Sequence, residues 1–110
     1  GDFILKEVSK FIKGFFSERN LIARYGGEEF LIIIPHHDKE FTFKKLSEIL
    51  NNLNKKTFVY KNETIHVTFS GGITDNYREI SEKTPLDFFI DEADIKLYQA
   101  KKMGRNRIIY

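Results

Sequence analysis

Glu28 and Glu29 stand side by side in RYGGEEFLIIIP, residues 24 to 35, directly after Gly26 and Gly27 and directly before an apolar run. Two adjacent carboxylates at a tight turn are hard oxygen donors. Mg²⁺ takes such ligands and usually shares them with phosphate. The glycines tolerate positive φ, suit a two-residue hairpin, and leave room for a large ligand to approach the backbone. Taken alone, an acidic pair at a hairpin is also an ordinary solvated turn. A second group of residues lies near the end, in DEADIKLYQAKKMGRNRIIY. There Lys101 ends a helical pattern and Arg105 follows Gly104. Two cations four residues apart can clamp a triphosphate, although either one alone also serves to offset a helix dipole. His36, His37 and Asp38 are of metal-ligating types, but they follow Pro35 in a polar stretch that reads as a solvated loop.

The elements that must carry these residues follow from periodicity. Residues 2 to 16 place Ile4, Leu5, Val8, Phe11, Ile12, Phe15 and Phe16 at helical spacing, with Asp2 as N-cap. The phenylalanines of this helix read as core. Leu21 to Tyr25 reads as a strand, Gly26-Gly27 as its turn, and Phe30 to Ile34 as a strand covered on both faces, with Tyr25 packed at the hairpin. Phe43, Leu46, Ile49, Leu50 and Leu53 mark a second amphipathic helix over 42–53. Strands are expected at 57–60 and 64–70 around Lys61-Asn62-Glu63, closed by Gly71-Gly72. The polar stretch 74–85 reads as loop. A third helix runs over 86–103 with Phe89, Ala93, Leu97 and Ala100 inward, Gly104 stops it, and 107–110 is a last strand. The order gives an α+β fold, an antiparallel-rich central sheet flanked by helices. The chain opens on a helix with no strand before it to pack under.

Composition narrows the class. The 110 residues fit one domain, and 41% hydrophobic content is enough for a core. A net charge of +2 is too small for the concentrated basic face of a nucleic-acid binder. The absence of cysteine excludes disulfides and thiolate metal sites. No apolar run reaches the ~18 residues of a membrane span. These features suggest a soluble cytoplasmic domain, or the cytoplasmic piece of a membrane-bound sensor, making no direct membrane contact.

Four stretches, in order, resemble the GGDEF family, the diguanylate cyclases. GDFIL is similar to its Gly-Asp-x-x-Leu helix start, and ARYGGEEFLIIIP to its signature hairpin in the GGEEF variant. VTFSGGIT is similar to its Val-Thr-x-Ser-x-Gly-Ile strand, and DEADIKLYQAKKMGRNRI to its closing helix and turn. The resemblance implies a ferredoxin-like, palm-type nucleotidyl cyclase. It implies condensation of two GTP molecules into cyclic di-GMP with release of pyrophosphate, Mg²⁺ (or Mn²⁺) as cofactor, and a homodimer in which two bound GTP molecules face each other. Glu28 would be metal ligand and base for the 3′-hydroxyl, and Glu29 would help hold the second metal. Gly26 and Gly27 would let the nucleotide lie on the backbone. Asp2 would read the guanine edge, and Lys101 and Arg105 would hold the β- and γ-phosphates. An upstream sensory or receiver domain is the expected partner.

Two departures stand out. The family often carries Arg-x-x-Asp as a product-binding inhibitory site five residues before the turn motif. Here Ser17 and Asn20 occupy those positions and Arg19 is out of register, so this site reads as degenerate. The family's domain also begins with a strand and helix that precede the Gly-Asp and supply a shared metal-binding aspartate and phosphate contacts. Residues 1–110 are therefore expected to be a single truncated domain, lacking its first strand and helix, with little activity alone. The rival reading is a non-catalytic module of the same family that binds GTP or a protein partner. A plain structural or dimerisation domain is a third.

Overall fold

The computed structural model describes residues 2–75 and 85–110, apart from the side chain of Asp2. The polar stretch read as loop over 74–85 lies mostly outside those residues. Helix α1 spans Asp2–Lys13, and hairpin strands β1 and β2 span Leu21–Gly26 and Glu29–Ile33. Helix α2 spans Lys39–Lys55, and β3 (Phe58–Tyr60) pairs with β4 (Glu63–Ile65). A two-residue strand β5 (Gly71–Gly72) precedes α3 (Leu86–Lys102) and β6 (Ile108–Ile109). Among the described residues the sheet comes in three two-stranded pieces: β1 with β2 and β3 with β4 antiparallel, and β5 with β6 parallel.

Helix α2 sits between two apolar clusters because its apolar residues cover adjoining faces. Ile49 and Leu53 are fully buried with Val8 and Ile12 of α1 and Phe58 of β3, and Ile32 of β2 packs against this group. Leu50 turns the other way, onto Ile73 and Ile108. Leu46 and Phe69 touch both clusters and join them. The helix start is held twice: Asp38 accepts from the Phe41 amide and Asp75 accepts from the Lys39 amide, both at 2.9 Å. Such caps contribute about 1 kcal/mol each.

Helix α3 is fixed by a close backbone approach at Gly72. A methyl group on Gly72 would collide with the backbone of Ala93 and Leu97, so only glycine lets β5 lie against the helix. Lys96 adds a bond from its ammonium to the Ile73 carbonyl at 2.9 Å.

Several expectations shift. The helix starts at Asp2 itself and ends at Lys13, three residues early, where Gly14 and Phe15 close turns onto Lys10 and Ile12. The Gly71-Gly72 pair, read as a strand's closure, is itself a strand, and residues 66–70 pair with no strand among the described residues. Strand β2 is half-buried along Phe30–Ile33 instead of covered on both faces, Tyr25 is 56% exposed, and Phe3 is exposed as well. Lys61 and Asn62, both at positive φ, make a two-residue primed turn between β3 and β4.

Candidate functional site

The turn of the β1–β2 hairpin falls one residue later than the glycine pair suggests. Gly27 and Glu28 are its two turn residues, and Gly26 still pairs, opposite Glu29, after a register shift at Arg24. Gly26 at φ 144° and Gly27 at φ 50° both need the freedom of glycine. No atom lies within 4 Å of where a side chain would start at either, so the backbone is open on that side. Glu28 is thus carried on the turn and Glu29 on the first position of β2, and both are exposed. Arg24 locks the bend: its Nε donates to the Gly27 carbonyl at 2.8 Å. Sequence reasoning missed this role, although an arginine three residues before the turn glycine has the reach for it.

A groove of about 350 Å³ runs between α1 and this hairpin. Phe3, the neighbour of Asp2, lines it with Phe30 and Ile22, and Lys6, Lys10, Lys13 and Arg24 give its walls positive charge. Glu7 is the one acid among the lining residues and pairs with Lys10 at 3.9 Å. An apolar floor with cationic walls suits a ligand that has a flat ring and phosphates. Helix α1 and the strands of the hairpin border one groove, and neither Glu28 nor Glu29 is among its lining residues.

The basic pair is positioned differently. The Arg105 amide donates to the Ala100 carbonyl at 2.9 Å and the Gly104 amide to the Lys101 carbonyl at 3.4 Å. Together these bonds form the Schellman termination of α3. Gly104, Arg105 and Asn106 all have positive φ, and for the last two that conformation costs about 1–2 kcal/mol each. Lys101 and Arg105 are exposed. They do not line the groove, and α3 packs on β5 and β6 instead of on the hairpin. The acids and the bases are therefore held on separate supports.

Glu28 and Glu29 fit a hard divalent cation by donor type: two exposed carboxylates that water and phosphate oxygens can complete. Among the described residues no three His, Cys, Asp or Glu side chains come together to hold a metal ion. The His36–Asp38 group is not such a site either. His37 stacks on Phe41 at 3.8 Å, and Asp38 is committed to its helix. At the other positions singled out from the sequence, Asn20 Oδ1 accepts from the Ser17 amide at 3.1 Å and from its hydroxyl at 3.3 Å. The two residues close a local turn on each other.

Known proteins match along the whole chain. The sequence profile of the family described as "Diguanylate cyclase, GGDEF domain" matches residues 1–107. Diguanylate cyclase A of Treponema denticola is 33% identical over 108 residues, which is 98% of this chain and 28% of that protein. The GGDEF domain of DgcB from Caulobacter crescentus, solved in complex with c-di-GMP, superposes with a TM-score of 0.80 at 25% identity, covering 98% of this chain and 63% of that one. The active GGEEF domain of a diguanylate cyclase from Vibrio cholerae gives 0.79 at 25% identity, covering 98% and 66%. The chain spans between 16% and 36% of the length of eight curated relatives it matches.

Proposed function

The chain belongs to the GGDEF family of diguanylate cyclase domains, and from that premise we propose that it contributes the catalytic hairpin of a cyclase making cyclic di-GMP from two GTP molecules. The observation that carries the proposal is the hairpin: two exposed carboxylates on a bend that Arg24 locks, beside an open backbone and a cation-walled groove.

In this reading each GTP 3′-hydroxyl attacks the α-phosphate of the GTP on a facing domain. One new P–O bond forms at each centre, the bond to the β-phosphate bridge breaks, and two pyrophosphates leave. Glu28 takes the hydroxyl proton, which a positioned base makes worth about 10²–10⁴-fold. Glu28 and Glu29 would hold Mg²⁺ or Mn²⁺, which neutralises triphosphate charge and acidifies the hydroxyl. Asp2, at the head of α1, meets the guanine edge. Gly26 and Gly27 let the nucleotide lie on the backbone. Lys101 and Arg105 bind the β- and γ-phosphates, and the rigid end of α3 limits the entropy lost on closing around them. The reaction needs a second domain, so a homodimer is the working unit, and an upstream input domain in the cytoplasm controls it.

The test is product formation by the intact protein that carries this chain. Incubation with GTP and Mg²⁺ should yield cyclic di-GMP and pyrophosphate, and Glu28→Gln should lower the rate by about 10²–10⁴-fold. Tight GTP binding with no product from the unaltered protein would overturn the catalytic reading.

A further inference from the structure

We propose that the groove between α1 and the hairpin is a second nucleotide site, apart from the reacting centre, which holds a nucleoside diphosphate or triphosphate by its phosphates and the flat of its ring. The inference goes beyond the cyclase reading and does not depend on it. In that reading the phosphates go to Lys101, Arg105 and metal on Glu28 and Glu29, and none of these residues lines the groove. The groove's own cations are left without a task. Lys6, Lys10 and Lys13 follow at spacings of four and three, so they form one ridge along α1. From Lys6 to Lys13 the ridge runs about 10 Å. That outreaches a single phosphate and suits a chain of them. Arg24 lines the groove from β1. Its Nε is held by the Gly27 carbonyl at 2.8 Å, while its two terminal nitrogens donate to no protein group among the described residues. A phosphate therefore meets a guanidinium already fixed in place.

Charge and shape select the occupant together. Among the described residues these cations make one ion pair, Lys10 with Glu7 at 3.9 Å, and the Lys10 side chain is 79% exposed, so that pair is weak. A ridge of lysines on a helix is otherwise an ordinary solvated face. Here it borders an apolar floor of Ile22 and Phe30, both half-buried. Phe3 stands at the same groove, 42% exposed, and stacks on Tyr60 at 5.0 Å with the planes 23° apart. One face of the ring is thus backed, and the ring is a fixed wall for a second flat group. The volume of about 350 Å³ falls in the range of small-molecule sites. Ser9 is the one neutral polar side chain among the lining residues, so the edge of a base goes unread. Every base has a flat face, and the site takes purines without choosing between them.

The test is calorimetry of ADP, which is not a substrate of the proposed reaction, on the intact protein without divalent cation. Removing the metal silences the acidic hairpin, whereas ammonium groups hold phosphate without one. ADP should bind, GDP should bind alike, and adenosine should bind about tenfold more weakly or worse. Lys6→Gln combined with Lys10→Gln should weaken ADP by about tenfold, and Lys6→Arg combined with Lys10→Arg should retain it. Phe3→Leu should weaken ADP by about tenfold, and Phe3→Tyr should retain it. Lys101→Ala and Glu29→Gln should leave it unchanged. No binding of ADP to the intact protein would overturn the proposal, and that is the result if the chain's own preceding residues fill the groove. Binding lost with Lys101→Ala, binding indifferent to the paired Gln changes, or acceptance of GDP alone would overturn it as well. Phe3, Lys6 and Lys10 are exposed, so none of the substitutions disturbs the core. No turnover is read, so this outcome and that of the cyclase reading are independent.

Discussion

The acidic hairpin and the basic end of α3 both present exposed charge, yet they are built on different terms. The hairpin hangs on one side-chain bond, Arg24 to the Gly27 carbonyl, and its second strand is only half-buried. Helix α3 is held at its middle by a glycine that admits β5 and a lysine bonded to the Ile73 carbonyl, and closed at its end by two amide bonds. The bases sit on the more tightly packed support, and the acids on a hairpin whose second strand is half-buried.

Breaking the rigid side should have the largest effect on stability. Gly72→Ala forces a methyl group into the backbone of Ala93 and Leu97 and should weaken α3 docking by about 3 kcal/mol. Native-state hydrogen exchange of α3 amides should then accelerate by about two orders of magnitude, and amides of the hairpin should not change. Next comes Gly104→Ala. A φ of 117° is hostile to a Cβ, so α3 should lose about 1–2 kcal/mol, read in the same exchange experiment at its last turn. On the compliant side, Arg24→Met should cost about 1 kcal/mol or less, because the bond is exposed, yet it should lower turnover by about tenfold through misplacement of Glu28. The smallest expected change is at Ser17 and Asn20: cyclic di-GMP added to a turnover assay should inhibit little through these residues, which are bonded to each other. Strong inhibition that Asn20→Ala abolishes would contradict this.

The two regions were also unequally legible. The Schellman end of α3 could be read directly, because a helical period running into Met-Gly-Arg-Asn is a local signal. The left-handed φ of Arg105 and Asn106 was not visible, since neither residue requires it. At the hairpin the glycine pair announced a bend but not its register. The irregularity between Arg24 and Gly26 keeps Gly26 in the strand and moves Glu28 onto the turn. Gly71-Gly72 misled most. A glycine pair after an alternating run reads as punctuation, whereas here it pairs in parallel with Ile108–Ile109 and lets a helix approach. Those are long-range demands that local pattern does not carry. The half-buried state of Phe30–Ile33 was missed for the same reason, since an apolar run reports what could be covered and not what lies beside it.

The central claim is that the hairpin acids and the α3 bases act on one nucleotide. Calorimetry of Mg²⁺–GTP binding to the intact protein tests it most directly, comparing Glu29→Gln, Lys101→Ala and the two combined. The account predicts that each single change weakens GTP by about tenfold or more, that the combined loss is not the sum of the two, and that Lys101→Ala leaves guanosine binding unchanged. Unaltered GTP affinity in Lys101→Ala, beside a clear loss in Glu29→Gln, would contradict it.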